Sequence, residues 1–131
     1  MKYLVDTSVL IHSLISRPKL NHQALELLAD NSSELYLSAV SSWEIIIKAG
    51  TGKLVLPERP AQFVTRAMRV MFLQRLDITH LHAQALDELP NHHRDPFDRM
   101  LIAQAVSEQM TLLTADRVFQ KYRVDLIYCG K

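Results

Sequence analysis

Tyr3-Leu4-Val5-Asp6-Thr7-Ser8 is the stretch on which the reading of the chain turns. Three apolar residues run into an acid and two hydroxyl residues. That order predicts a short buried strand followed by a helix over 8–15, with Thr7 or Ser8 as N-cap and Pro18 closing it. The same grammar recurs downstream. Leu35-Tyr36-Leu37 reads as a second strand, and Ser38 to Ser42 offer caps for a helix to about 49, ended by Gly50 and Gly52. Residues 75–78 read as a third strand, Leu112-Leu113 as a fourth and Leu126-Ile127-Tyr128 as a fifth. Helices are expected over 21–30, over 61–72, from the cap Thr79 to before Pro90, over 96–109 and over 115–122. Strands alternating with helices predict an α/β fold: a mainly parallel sheet of about five strands, flanked by helices in three layers. Sites in such folds lie outside the carboxyl ends of the strands.

Composition narrows the class. The chain has 131 residues, 48% of them hydrophobic, which suits one domain spanning 1–131 with a substantial core. A charged fraction of 22% with only 3 Gly and 5 Pro excludes a disordered or low-complexity protein. The single Cys129 cannot form an internal disulfide, so a reducing interior is expected. The opening apolar run is cut by Asp6, too early for a signal peptide, and no segment approaches the ~20 apolar residues of a membrane span. Net charge is only +1, so attraction for a polyanion has to come from local cations or bound metal.

Four acids fall where a site is expected. Asp6 ends the first strand, and Asp116 follows the fourth in Leu112-Leu113-Thr114-Ala115-Asp116. Each taken alone also fits a helix cap. Glu44 shares its helix face with Val40, Ser41, Ile47 and Lys48; a surface pair with Lys48 is the plainer alternative. Asp95-Pro96-Phe97-Asp98 has the form of a helix start, with Asp95 as cap and Pro96 in the first position. Asp98 shares a face with Leu101, Ile102 and Ala105 and is expected to turn inward. Asp95 is then the outer cap and the alternative to Asp98 as the third acid. Four carboxylates on one sheet edge would repel each other and resist ionisation. A hard divalent cation, Mg²⁺ or Mn²⁺, resolves that conflict and suits chemistry on a phosphodiester.

Leu4-Val5-Asp6-Thr7-Ser8, Ser42-Trp43-Glu44-Ile45, the run from His93 to Ala105 and Leu113-Thr114-Ala115-Asp116 resemble the PIN-domain ribonucleases. Within them they are most similar to the VapC toxins of bacterial type II toxin–antitoxin systems. The resemblance runs from the first strand to the last. It implies a PIN-like fold and a cytoplasmic, metal-dependent endoribonuclease that cleaves structured RNA, tRNA or rRNA, through metal-activated water. It also implies a homodimer held inactive by a cognate antitoxin lying over the acidic groove. Asp6, Glu44, Asp98 and Asp116 become the catalytic, metal-binding acids, with Thr7 and Thr114 supporting them. Arg94, Arg99 and Arg117 flank the acids and are candidates for RNA contact, as more weakly are His92 and His93. Trp43 could stack on a base, but packing in the core is the stronger expectation.

Other readings fit less well. Asp6-Thr7-Ser8-Val9 also resembles the start of the haloacid dehalogenase-like phosphatases, but Ser8 stands where they need a second Asp. His80, His82, His92, His93 and Cys129 lack the spacing of a zinc site. A non-catalytic RNA-binding or scaffold domain of the same fold is the alternative function, and the presence of all four acids weighs against it.

Overall fold

The computed structural model describes residues 1–92 and 94–131; His93, a candidate RNA contact, lies outside the described residues. Five strands form one parallel sheet: β1 (Lys2–Val5), β2 (Glu34–Ser38), β3 (Gln74–Leu76), β4 (Thr111–Thr114) and β5 (Leu126–Tyr128), in the order β3-β2-β1-β4-β5. The helices are α1 (Thr7–Ile15), α2 (His22–Ala29), α3 (Ala39–Gly50), α4 (Pro60–Val70), α5 (His80–Ala85) and α6 (Pro96–Glu108).

The central strands are apolar on both faces because both faces are covered. Successive side chains of a strand point to opposite sides. Leu4 and Leu112 therefore pack with Leu101, Ile102 and Phe119, while their neighbours Val5 and Leu113 pack with Val9, Leu10 and Phe63. The first layer is built on α6, the second on α1, α2 and α4. Helix α3 gives Val40 to one layer and Ile45 to the other, so it bridges them. In-register pairing of Val5 with Leu113 puts the ends of β1 and β4 side by side. The turns leaving those two strands emerge together at the carboxyl edge.

Local chemistry sets the helix starts. Asn21, Ser38 and Asp95 each accept a backbone N–H in the first turn of α2, α3 and α6, and Thr79 and His82 form a capping box on α5. Two expectations are corrected. Helix α1 begins at Thr7, and neither Thr7 nor Ser8 caps it; both hydroxyls are drawn to carboxylates instead. Residues 115–122 form no α-helix but a 3-10 turn, Arg117–Lys121, because Asp116 caps Val118 and the chain then leads directly into β5. Smaller shifts also occur: α4 stops at Val70, and Gly50 lies inside α3 while Gly52, at φ 78°, takes the left-handed turn.

Candidate metal centre

Asp6 sits in the turn between β1 and α1, and Thr114 ends the adjacent β4. The hydroxyls of Thr114 and Ser8 both donate to Asp6 Oδ2, each at 2.7 Å. Those hydroxyls are themselves held by backbone: Asp116 N–H donates to Thr114 Oγ1 at 3.0 Å, and Ala115 N–H to Ser8 Oγ at 3.2 Å. One carboxylate oxygen of Asp6 is thus fixed from two turns at once. Asp6 is 3% exposed. Burial drives its pKa up to about 6, against the lowering effect of the two hydroxyl bonds and with the charge of Glu44 adding to the rise.

Glu44 is the charged member of the buried stripe Val40, Ser41, Glu44 and Ile45 on α3, whose register is set by the Ser38 cap. It is 4% exposed. Thr7 Oγ1 donates to Glu44 Oε1 at 2.7 Å and lies 2.9 Å from Ser41 Oγ. The other carboxylate oxygen, Oε2, is bonded by Lys48 Nζ. The Lys48 pair therefore forms, but on an inward glutamate and not a solvated one. Burial opposes the charge on Lys48; the bond to Glu44 and the nearby Glu44, Asp95 and Asp98 outweigh it and hold its pKa above the ordinary lysine value.

The start of α6 supplies two more acids. Asp95 Oδ1 accepts from Phe97 N–H at 2.9 Å and Asp98 N–H at 3.1 Å, as the cap motif predicted. The same residue still reaches the site. Among the described residues, Glu44, Asp95 and Asp98 offer carboxylate oxygens all within 4.8 Å of one another. Capping and membership of the acidic cluster are not alternatives for Asp95. Half-buried Asp98 has its pKa pushed up to about 8, first by burial and then by the charges of Asp6, Asp95, Glu44 and Asp116. Asp116 is exposed and caps the 3-10 turn through Val118 N–H at 3.0 Å, yet it lines the same groove as the other four acids.

That groove is about 540 Å³. Helix α1 contributes Ile11, His12 and Ile15; Lys19, Lys48 and Lys53 are its cations. Arg94, Arg99 and Arg117 do not line it. Arg99 donates to Pro90 O at 2.8 Å and lies 3.4 Å from Tyr122 Oη; Arg117 stacks over Tyr128 at 4.3 Å; Arg94 borders a separate depression with Asn91 and His92. Adjacency to the acids does not bring these side chains into the groove: Arg94 precedes α6, Arg99 is held by Pro90 O, and Arg117 lies over the Tyr128 ring. Ser8 was not expected at the site, although its place two residues after Asp6 in a strand-to-helix turn was a usable signal. Trp43 corrects another expectation: it is 55% exposed, meeting Phe97 edge-on at 5.1 Å, and is not in the core.

All-oxygen donors, two of them, Asp6 and Asp98, desolvated and resisting ionisation, fit a hard divalent cation better than any other common group. A zinc site does not assemble: His82 is buried against Glu108 at 2.7 Å, and the cluster near metal-sharing distance holds only carboxylates among the described residues. Ser8, in the position a phosphatase needs for its second acid, is a hydrogen-bond donor to Asp6.

Fold and acids together define a class. Residues 3–125 match the model of the PIN domain, and the chain belongs to the PIN domain family, whose members are typically metal-dependent nucleases. Its fold is that of the VapBC toxin–antitoxin structures. VapBC2 from Rickettsia felis, bound to a DNA fragment from its promoter, superposes with a TM-score of 0.72 at 19% identity, covering 99% of this chain and 100% of the other. DNA-bound VapBC from Salmonella typhimurium gives 0.69 at 18% identity, with 98% of each chain covered. VapBC-1 from nontypeable Haemophilus influenzae gives 0.67 at 17%, again with 98% of each covered. No curated protein matches the sequence.

Proposed function

We propose that this chain is the endoribonuclease toxin of a type II toxin–antitoxin pair, a VapC-like enzyme that cleaves structured RNA, tRNA or rRNA, with Mg²⁺ or Mn²⁺. The observation that carries the reading is the convergence of Asp6, Glu44, Asp98 and Asp116 on one groove, with Asp95 joining Glu44 and Asp98 in an oxygen cluster within 4.8 Å. A bound divalent cation would supply charge stabilisation at the phosphodiester and a readily ionised water. Asp6, Glu44, Asp98 and Asp116 are the residues that would hold it. Thr114 and Ser8 fix the direction of Asp6, and Thr7 that of Glu44. No serine, threonine or cysteine nucleophile is required. Arg94, Arg99 and Arg117 lie outside the groove, so they remain candidates for RNA phosphates beyond it.

The cytoplasmic setting, the homodimer and a cognate antitoxin belong to the same reading. The VapBC structures, which are complexes of toxin with antitoxin, support the partner by fold. Trp43, Ile46 and Ile47, exposed on α3, offer apolar surface for it to cover. Among the described residues, no helix is long and apolar enough to cross a membrane. Light scattering after size exclusion checks the dimer; a monomer at working concentration would refute it.

The central test is cleavage of structured RNA with Mn²⁺ by wild type, Asp6→Asn and Asp98→Asn. Loss of an outer-shell partner costs metal sites about 10–100-fold, so loss of a ligand is expected to exceed about 100-fold. Equal cleavage by all three refutes the nuclease assignment. RNA binding without turnover by any of them would establish the scaffold alternative.

A further inference from the structure

Both carboxylate oxygens of Glu44 are engaged. Its Oε1 accepts from Thr7 and its Oε2 from the Lys48 ammonium. The two partners differ in kind. Thr7 is buried on the adjoining helix and its hydroxyl points at a fixed place. Lys48 is one turn along α3 from Glu44, and its side chain is 38% exposed against 5% for the glutamate. Its ammonium sits at the end of a flexible four-carbon stem, so it can leave without moving the backbone. Lys19 and Lys53 line the same groove but form no ion pair with a described residue.

We propose that Lys48 is a tethered counter-ion of the acidic centre, which a divalent cation displaces from Glu44 Oε2, freeing its ammonium for the RNA phosphate in the groove. The inference rests on the metal-dependent reading of the site. An ammonium and a divalent cation drawn to one carboxylate oxygen repel each other strongly in a partly desolvated site, so metal binding weakens the hold of Glu44 on Lys48. The acids need a positive charge while metal is absent, and Lys48, close to Glu44, Asp95 and Asp98, supplies it. When the metal takes over that task, the displaced ammonium remains within the groove that Lys19 and Lys53 also line. Metal loading and the appearance of a free cation for phosphate would then be one event. Lys48 acts as a positioning residue for charge and not as a metal ligand.

The test reads the lysine itself. Intact wild-type protein is treated briefly with an amine-acetylating reagent, without metal and with saturating Mg²⁺, and labelling is measured by mass spectrometry with Lys2, exposed and outside the groove, as internal reference. Lys48 is expected to label slowly without metal and faster with it, while in Asp98→Asn the increase is lost. Calorimetry with Mn²⁺ supplies the second arm. Lys48→Met removes the competing charge and is expected to bind Mn²⁺ about tenfold more tightly, whereas Lys48→Arg stays near wild type. Wild type that binds Mn²⁺ with Lys48 labelling unchanged overturns the counter-ion role and leaves the metal centre standing. Wild type that binds no Mn²⁺ overturns both.

Discussion

Asp6 and Asp98 hold carboxyl groups whose ionisation is made costly by folding. Both have a reference pKa of 3.8, raised to about 6 and about 8 respectively, in each case first by burial. A raised acid favours the folded state while protonated. Its contribution is complete below its unfolded pKa and is lost as pH rises through the folded value. In chelator, the melting temperature is therefore expected to fall from about pH 4 to about pH 8, and Asp98→Asn to flatten the upper part of that fall. Added Mg²⁺ should restore stability most at the alkaline end, where the acids are charged. Melting curves across this range check the sign; a metal-free protein that gains stability between pH 6 and 8 contradicts it. At this scale the sequence was legible where geometry is local. Asp6 after a strand and Asp98 on the inward stripe of a helix follow from periodicity alone. Ser8 and the destinations of Arg99 and Arg117 were not legible, because they depend on which turn lies beside which across the sheet.

Asp95 shows how one residue serves an element and a site together. Its Oδ1 satisfies two backbone donors at the start of α6, while its carboxylate also belongs to the cluster with Glu44 and Asp98. Two substitutions separate these roles. Asp95→Ala removes the cap and is expected to cost about 0.5–2 kcal/mol of stability. Asp95→Asn keeps a capping oxygen and should melt near wild type in chelator, yet bind Mn²⁺ more weakly. Denaturation and calorimetry on the pair check this; equal Mn²⁺ affinity in wild type and Asp95→Asn would reduce Asp95 to a cap. Among elements, β5 and the starts of α3 and α6 could be read directly, since each is marked by a cap or by turn residues. The 3-10 turn Arg117–Lys121 was mistaken for a helix because Val118 and Phe119 supply apolar residues at a spacing both structures tolerate.

For the whole molecule, the alternation of strands and helices was enough to predict a parallel sheet, and the sheet predicted the edge at which the acids meet. The strand order was beyond it: nothing local in Leu112-Leu113 says that β4 lies beside β1. That neighbourhood is made by two apolar layers meeting across the sheet, with Leu112 fully buried in one and Leu113 in the other. Leu112→Ala is expected to cost about 2–5 kcal/mol in denaturant unfolding, since a fully buried leucine leaves a cavity. A loss near zero would show that β4 is not central to the core.

The bond from Thr114 to Asp6 joins residues 108 positions apart. A ribosome making this chain releases Asp6 well before the hydroxyl that orients it. Domains fold as their segments emerge, so a nascent or truncated chain ending before Thr114 carries acids without an assembled centre. Assembly of the centre is thereby postponed until β4 has been made and laid beside β1.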